Sequence, residues 1–248
     1  MSLDPALHDF GNLVRAAEID LAGAALAVAR IEHPDLIPEP SLERLDELAR
    51  RSAATKVGDR RRALQRMCGF LFDEVGFRGN ADDYYDPRNS CLNDVLDRRL
   101  GIPITLSVLV MEVGRRVGLE IQGIGLPGHF CVGARVDDEV MLLDPFGGGR
   151  RLERAEAEAI ASRAVGRQVE LTDAHFAPPG LTSRSSDWFA RRPPWPLRLC
   201  APPFVTVQIE ERNKARVRYR SSPWSIFSII GGEGGIRTLD TALDRITV

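Results

Sequence analysis

Lysine is almost missing from this chain: only Lys56 and Lys214 occur, so 31 of its 33 basic residues are arginine. A bias of that kind reflects a GC-rich coding sequence, and arginine number alone makes no case for nucleic-acid binding. Cysteine is scarce too. Cys68, Cys91, Cys131 and Cys200 stand at no paired spacing, and a chain this long needs no disulfide framework, which fits a reduced, cytoplasmic protein. Long apolar runs are also absent. The longest, such as 102–113, is broken by polar residues well short of the ~20 needed to cross a bilayer, so no membrane span is expected. The opening Met1-Ser2-Leu3-Asp4-Pro5 has no basic stretch followed by an apolar one, so no secretion signal is expected.

What is present is ordinary for a globular chain: 248 residues, 44% hydrophobic and 27% charged, enough for one good core or two small ones. Charge divides it. From Phe176 onward there are 11 Lys and Arg against 6 Asp and Glu, whereas residues 1–175 carry −7. Residues 1–77 read as packing helices: 19–31 is rich in Ala and Leu, Leu42, Leu45 and Leu48 form a stripe, and Asp59 is placed to cap a helix that Gly76 stops. His8, His33 and Cys68 share no ligand-like spacing there and read as core or surface residues. A polar loop, 77–90, leads to a helix from Cys91 to Arg99 with Ser90 as its cap and Gly101 closing it. Residues 104–118 are apolar almost all round, which marks a central helix surrounded by other elements.

Beyond Gly118 the period changes. The runs 119–126, 129–136 and 139–145 are separated by Pro127-Gly128 and Asp137-Asp138, the pattern of an antiparallel meander, and 152–165 is one more helix ended by Gly166. Helices first and strands second predict an α+β domain over 78–175, preceded by the N-terminal helical region. Residues 176–248 hold eight of the sixteen prolines and all three tryptophans, show no sustained period, and read as an irregular tail, disordered or out of frame. The phrase from Gly231 to Asp240 resembles one found at the ends of unrelated bacterial sequences where translation has left the true frame.

The hairpin yields the first chemical candidate. With Asp137 and Asp138 as its turn, Cys131 lies opposite Asp144, and His129, Cys131 and Asp144 share one face. His129 and Asp144 are then diagonal neighbours, within reach of the imidazole–carboxylate hydrogen bond that a general base needs. Candidate nucleophiles are Cys91, at a helix start, and Cys131, beside the histidine. Thr105 and Ser107 at the start of the central helix are weaker ones. Gly123-x-Gly125-x-x-Gly128 matches the dinucleotide fingerprint by letter but precedes a strand, so it provides no helix N-terminus for a pyrophosphate. Asp82, Asp83 and Asp86 lack the glycine and glutamate of a calcium loop and read as turn-capping carboxylates. No metal and no cofactor are expected.

Four motifs in order carry a family resemblance: Gly79-Asn80 with 83–90, Leu100 to Ser107, Gly123 to Phe130, and Leu143-Asp144-Pro145-Phe146. Over residues 5–175 the chain resembles the bacterial SirB family of the transglutaminase-like superfamily. The resemblance implies a papain-like core, in which a central helix bearing a nucleophile at its N-terminus packs on a meander bearing His and then Asp. By position His129 and Asp144 match that pair. The nucleophile's place falls at Pro103 to Thr105, where no cysteine stands. Family members usually continue into tetratricopeptide-like helices, and this likeness stops near Pro178. The reading is a non-catalytic binding or regulatory protein whose cleft, lined by Thr105, Tyr84, Tyr85 and Asn89, keeps His129 and Asp144 as a remnant. It admits a protein or peptide partner, with no nucleic acid and no membrane, and leaves oligomeric state open. The alternative is an active thiol acyltransferase or peptidase using Cys91 or Cys131 with His129 and Asp144. A purely structural role for the pair is the third.

Overall fold

A computed structural model describes Phe10, Leu13, residues 20–54, 58–137 and 139–176, and the backbone of 205–210 and 214–219. His8, Cys200 and the 231–240 phrase lie outside the described residues. Among the described residues, three helices are placed in full before residue 77. Helix α1, Leu21–Ala29, is capped by Asp20, whose carboxylate accepts from the Gly23 N–H. Helix α2, Glu39–Ser52, follows. Asp59 caps α3, Arg60–Cys68, as its position in the sequence suggests, and α3 continues through a wider turn, Gly69–Glu74. Gly76 adopts φ +86°, the left-handed stop that a side chain would resist.

The segment expected to be all loop contains regular structure. Strand β1, Arg78–Gly79, pairs in parallel with β2, Leu100–Gly101, and a 3₁₀ turn spans Pro87–Ser90. That turn absorbs Ser90, so Cys91 rather than Ser90 holds the N-cap position of α4, Leu92–Arg98. The helix closes at Arg99, φ +62°, two residues before the expected Gly101.

Helix α5, Pro103–Arg116, is the central element, with every residue from Pro103 to Val110 buried. Pro103 suits a first-turn position, where its missing N–H would have no helical acceptor. Four strands follow: β3, Ile121–Leu126, β4, His129–Val136, β5, Glu139–Asp144, and β6, Arg150–Arg151, each antiparallel to the next. The β4–β5 register runs from Val136 opposite Glu139 to Val132 opposite Leu143, the pairing that a two-residue turn dictates, and Asp137 takes φ +54° at that turn. Helix α6, Arg154–Val165, ends at left-handed Gly166, and a short α7 spans Asp173–Phe176.

Alternation splits the sheet into two faces. Val132, Ala134, Val136, Met141 and Leu143 join Leu106, Leu109, Val110 and Val113 of α5 in the main core, which also takes Leu26, Leu45, Leu64 and Leu71 from α1, α2, α3 and the wider turn that continues α3. Cys131, Ile124, Leu126 and Leu142 pack instead with Leu152 and Ala157 at α6. One core therefore runs across the chain on both sides of residue 77. Within the tail expected to be irregular, the backbone of 205–210 pairs antiparallel with 214–219, as β7 and β8. Its alternating text, Val-Thr-Val-Gln-Ile-Glu and Lys-Ala-Arg-Val-Arg-Tyr, is too short to register as a sustained period against the prolines around it.

Candidate functional site

The start of β4 and the end of β5 bring two side chains of the sequence reading together. His129 Nε2 lies 3.0 Å from Asp144 Oδ1, with the two side chains only 10% and 6% exposed. Against a carboxylate acceptor Nε2 carries the proton and donates it, leaving Nδ1 as the ring's other nitrogen. Burial pushes the Asp144 carboxyl up, but the His129 hydrogen bond and charge, the Gly147 backbone N–H and the Arg150 guanidinium together hold it below its ordinary range. Gly147 is needed there, since a Cβ would come within 2.5 Å of Asp144 Oδ2. The Gly149 N–H donates to the Asp144 carbonyl at 2.7 Å and closes the turn beneath the pair.

Cys131 completes a tight group: its sulfur, a His129 nitrogen and an Asp144 oxygen all lie within 4.8 Å of one another. The sulfur is fully buried, and burial followed by the Asp144 charge pushes the thiol far above its ordinary range. Cys91 sits elsewhere in the interaction pattern. Its thiol points to the Pro87 carbonyl at 3.8 Å and groups with His33 and Asp94, not with His129 and Asp144. The expected accessible thiolate at a helix start is not found, because Cys91 is buried and its thiol is pushed up to about 12 by that burial, then by Asp94, Glu32 and Asp86.

At the start of α5, where the resemblance places a nucleophile, Thr105 is buried and its hydroxyl is committed. Thr105 Oγ1 donates to the Asn89 carbonyl at 2.7 Å and accepts from the Ile102 N–H at 3.2 Å. Ser107 is fully buried in the next turn, and its hydroxyl makes no hydrogen bond. Asn89 is not a lining residue but an internal hub. Its amide nitrogen donates to the Asp83 and Tyr84 carbonyls at 2.7 and 3.2 Å, while its side-chain oxygen accepts from Asn80 at 3.0 Å. Tyr84 packs with Ile102 and Ile104, and its ring meets Phe146 edge-on at 5.9 Å. Phe146 meets the His129 ring edge-on at 6.3 Å, and Tyr85, 63% exposed, borders Tyr84. Aromatic rings thus link the imidazole to the helix start.

Two features had weak sequence signals. Phe146 stands two residues after Asp144, and Gly79 marks its contact: a Cβ at Gly79 would lie 2.6 Å from the Phe146 ring. Asp86, read as a cap, does accept from the Arg88 N–H, but it also pairs with the Arg88 and Arg98 guanidiniums at 2.8 Å each. Those hydrogen bonds, Arg88's first, keep its carboxyl below the ordinary range.

A helical region whose central helix packs on an antiparallel meander, with a buried His–Asp pair at the strand ends, defines an α+β domain of transglutaminase type. Sequence comparison agrees: a family model described as the transglutaminase-like superfamily matches residues 39–183, and the chain belongs to that superfamily. It is 41% identical over 154 residues to a UPF0162 protein of Xylella fastidiosa, covering 61% of this chain and 54% of that protein. A UPF0162 protein of Pseudomonas aeruginosa is 37% identical over 161 residues, covering 63% and 58%. These relatives are SirB-like, and the chain spans little more than half of their length. Human F-box only protein 21 is 34% identical over 110 residues, which cover 41% of this chain and 18% of that protein. No solved structure matches the chain. Among the described residues no helix is long and apolar enough to cross a membrane.

Proposed function

We propose that this chain is a binding or regulatory domain built on a papain-like core, which keeps a histidine–aspartate pair and has lost nucleophilic chemistry. The observation that carries the reading is the occupancy of the α5 start. Pro103 and Ile104 offer no nucleophile, and the Thr105 hydroxyl is spent holding Asn89 and Ile102. A hydroxyl that donates at 2.7 Å inside a buried network has no free proton to give to a base. His129 and Asp144 then serve to lock the strand ends, and the aromatic surface at Tyr85 is the contact point for a protein or peptide partner. A stretch of F-box only protein 21 that resembles this domain, a fraction of that protein's length, supports its use as a module.

The test offers the full chain a glutamine-donor peptide and a fluorescent primary amine. No incorporation above that of His129→Ala is expected. Incorporation that disappears in His129→Ala would overturn the proposal. A second reading has one specific observation in its favour, the Cys131 sulfur inside the His129–Asp144 group. Complete burial of that sulfur beside a carboxylate works against it, and loss of any measured incorporation in Cys131→Ser would establish it.

A further inference from the structure

A second group of nitrogen, sulfur and oxygen donors sits on other elements. His33 follows α1 in a turn fixed by its own backbone, its N–H donating to the Ala29 carbonyl at 3.0 Å and its carbonyl accepting from the Leu36 N–H at 2.9 Å. Cys91 and Asp94 occupy the N-cap and first turn of α4, three residues apart and so on one side of the helix. His33 Nε2 is 2.8 Å from Asp94 Oδ2, and a His33 nitrogen, the Cys91 sulfur and an Asp94 oxygen all lie within 4.8 Å of one another. A tetrahedral zinc with bonds of roughly 2.0 Å to nitrogen and oxygen and roughly 2.3 Å to one sulfur places its ligand atoms about 3.3 to 3.5 Å apart. No edge of the present triangle is longer than 4.8 Å.

We propose that His33, Cys91 and Asp94 form a zinc site that staples the turn after α1 to the start of α4, with a water as fourth ligand. The donor types select the ion: thiolate and imidazole exclude magnesium and calcium, which take oxygen ligands. Access suits it as well, because the His33 and Asp94 side chains are 38% and 18% exposed above a buried sulfur. On binding, one zinc ion enters and the Cys91 thiol proton leaves to solvent. The His33–Asp94 hydrogen bond is exchanged for two bonds to the metal, its proton passing through solvent to His33 Nδ1 so that a neutral imidazole binds through Nε2. Asp94 and Glu32 act on the Cys91 thiol as negative charges that a cation neutralises, whereas Asp86 is already paired with Arg88 and Arg98. The His129, Cys131 and Asp144 group has similar donors but a different setting. Arg150 acts on the Cys131 thiol itself there, and the Asp144 carboxylate accepts from the Gly147 N–H as well as from its histidine.

The full chain, stripped of metal by a chelator, is titrated with cobalt(II). The expected result is a thiolate-to-cobalt charge-transfer band and visible bands of tetrahedral intensity, saturating at one ion per chain and bleached by zinc. Cys131→Ser and His129→Gln keep the bands, whereas Cys91→Ser removes the charge-transfer band. Should Cys91→Ser fail to fold, His33→Gln decides, because its side chain is partly exposed. It weakens zinc more than about tenfold, the scale that even a lost supporting contact to a ligand reaches. Absence of the bands in the unaltered chain overturns the proposal. So do bands that survive both Cys91→Ser and His33→Gln, or that vanish only in Cys131→Ser.

Discussion

Thr105 shows how much one hydroxyl holds. It joins the start of α5 to the Asn89 hub, and through Asn89 to the backbone of Asp83 and Tyr84. Thr105→Val keeps the shape but leaves the Ile102 N–H and the Asn89 carbonyl only their long 3.4 Å hydrogen bond to each other, so a loss of about 0.5–1.5 kcal/mol is expected in urea unfolding. Thr105→Ser recovers most of it, and a valine variant as stable as the parent would count against the network. Asp144 makes a prediction in pH. Its folded carboxyl titrates below its ordinary value, so it contributes stability that is present above the usual carboxylate range and is lost as pH falls through the folded value. Asp144→Asn therefore lowers stability at neutral pH and flattens the acid side of the stability profile. A parallel profile, shifted but unflattened, would contradict the pairing. His129 and Asp144 could be paired from the sequence because strand parity and a two-residue turn determine which side chains share a face. His33, Cys91 and Asp94 could not. Their approach depends on how a turn after one helix docks on another, and no local period encodes a separation of 61 residues.

At the scale of elements, the ends of α4 carry the main departures from expectation. Ser90 is a good cap by type, but the 3₁₀ turn that starts at Pro87 runs one residue further than the cap rule foresees and hands the position to Cys91. At the other end Arg99 takes φ +62°, where glycine is the usual occupant, because the chain must turn at once into β2. The Arg99 side chain is exposed, so Arg99→Gly relieves a left-handed backbone at the cost of a looser unfolded chain. A net gain of about 0.5–1 kcal/mol is expected, read as a rise in the denaturation midpoint. A fall of similar size would show that the arginine side chain does something its exposure hides. The meander, by contrast, was legible residue by residue, since Pro127-Gly128 and Asp137-Asp138 punctuate three runs of plain β character. Pair β1–β2 was not, as two-residue parallel strands leave no periodic trace.

For the whole molecule, a helical region and a sheet-bearing region were readable as composition, while their sharing of one core was not. Leu106 of α5 sits in the cluster that holds Leu26, Leu45 and Leu71 as well as Val132 and Leu143. Leu106→Ala should cost about 2–5 kcal/mol and shift helix and sheet signals together in one transition. Two separate transitions would show that the helices before residue 77 fold on their own. The shared core also presses the nucleophile position into packed interior, which is the heart of the functional account. Its most direct test is peptide-resolved mass spectrometry of alkylation by iodoacetamide on the native chain at neutral pH. Cys68 and Cys91, whose thiols are pushed up to about 12, and the buried Cys131 should all label more slowly than in the unfolded chain, at rates that His129→Ala leaves unchanged. Rapid labelling of Cys91 or Cys131 that falls away in His129→Ala would show a working thiol–imidazole pair and contradict the account.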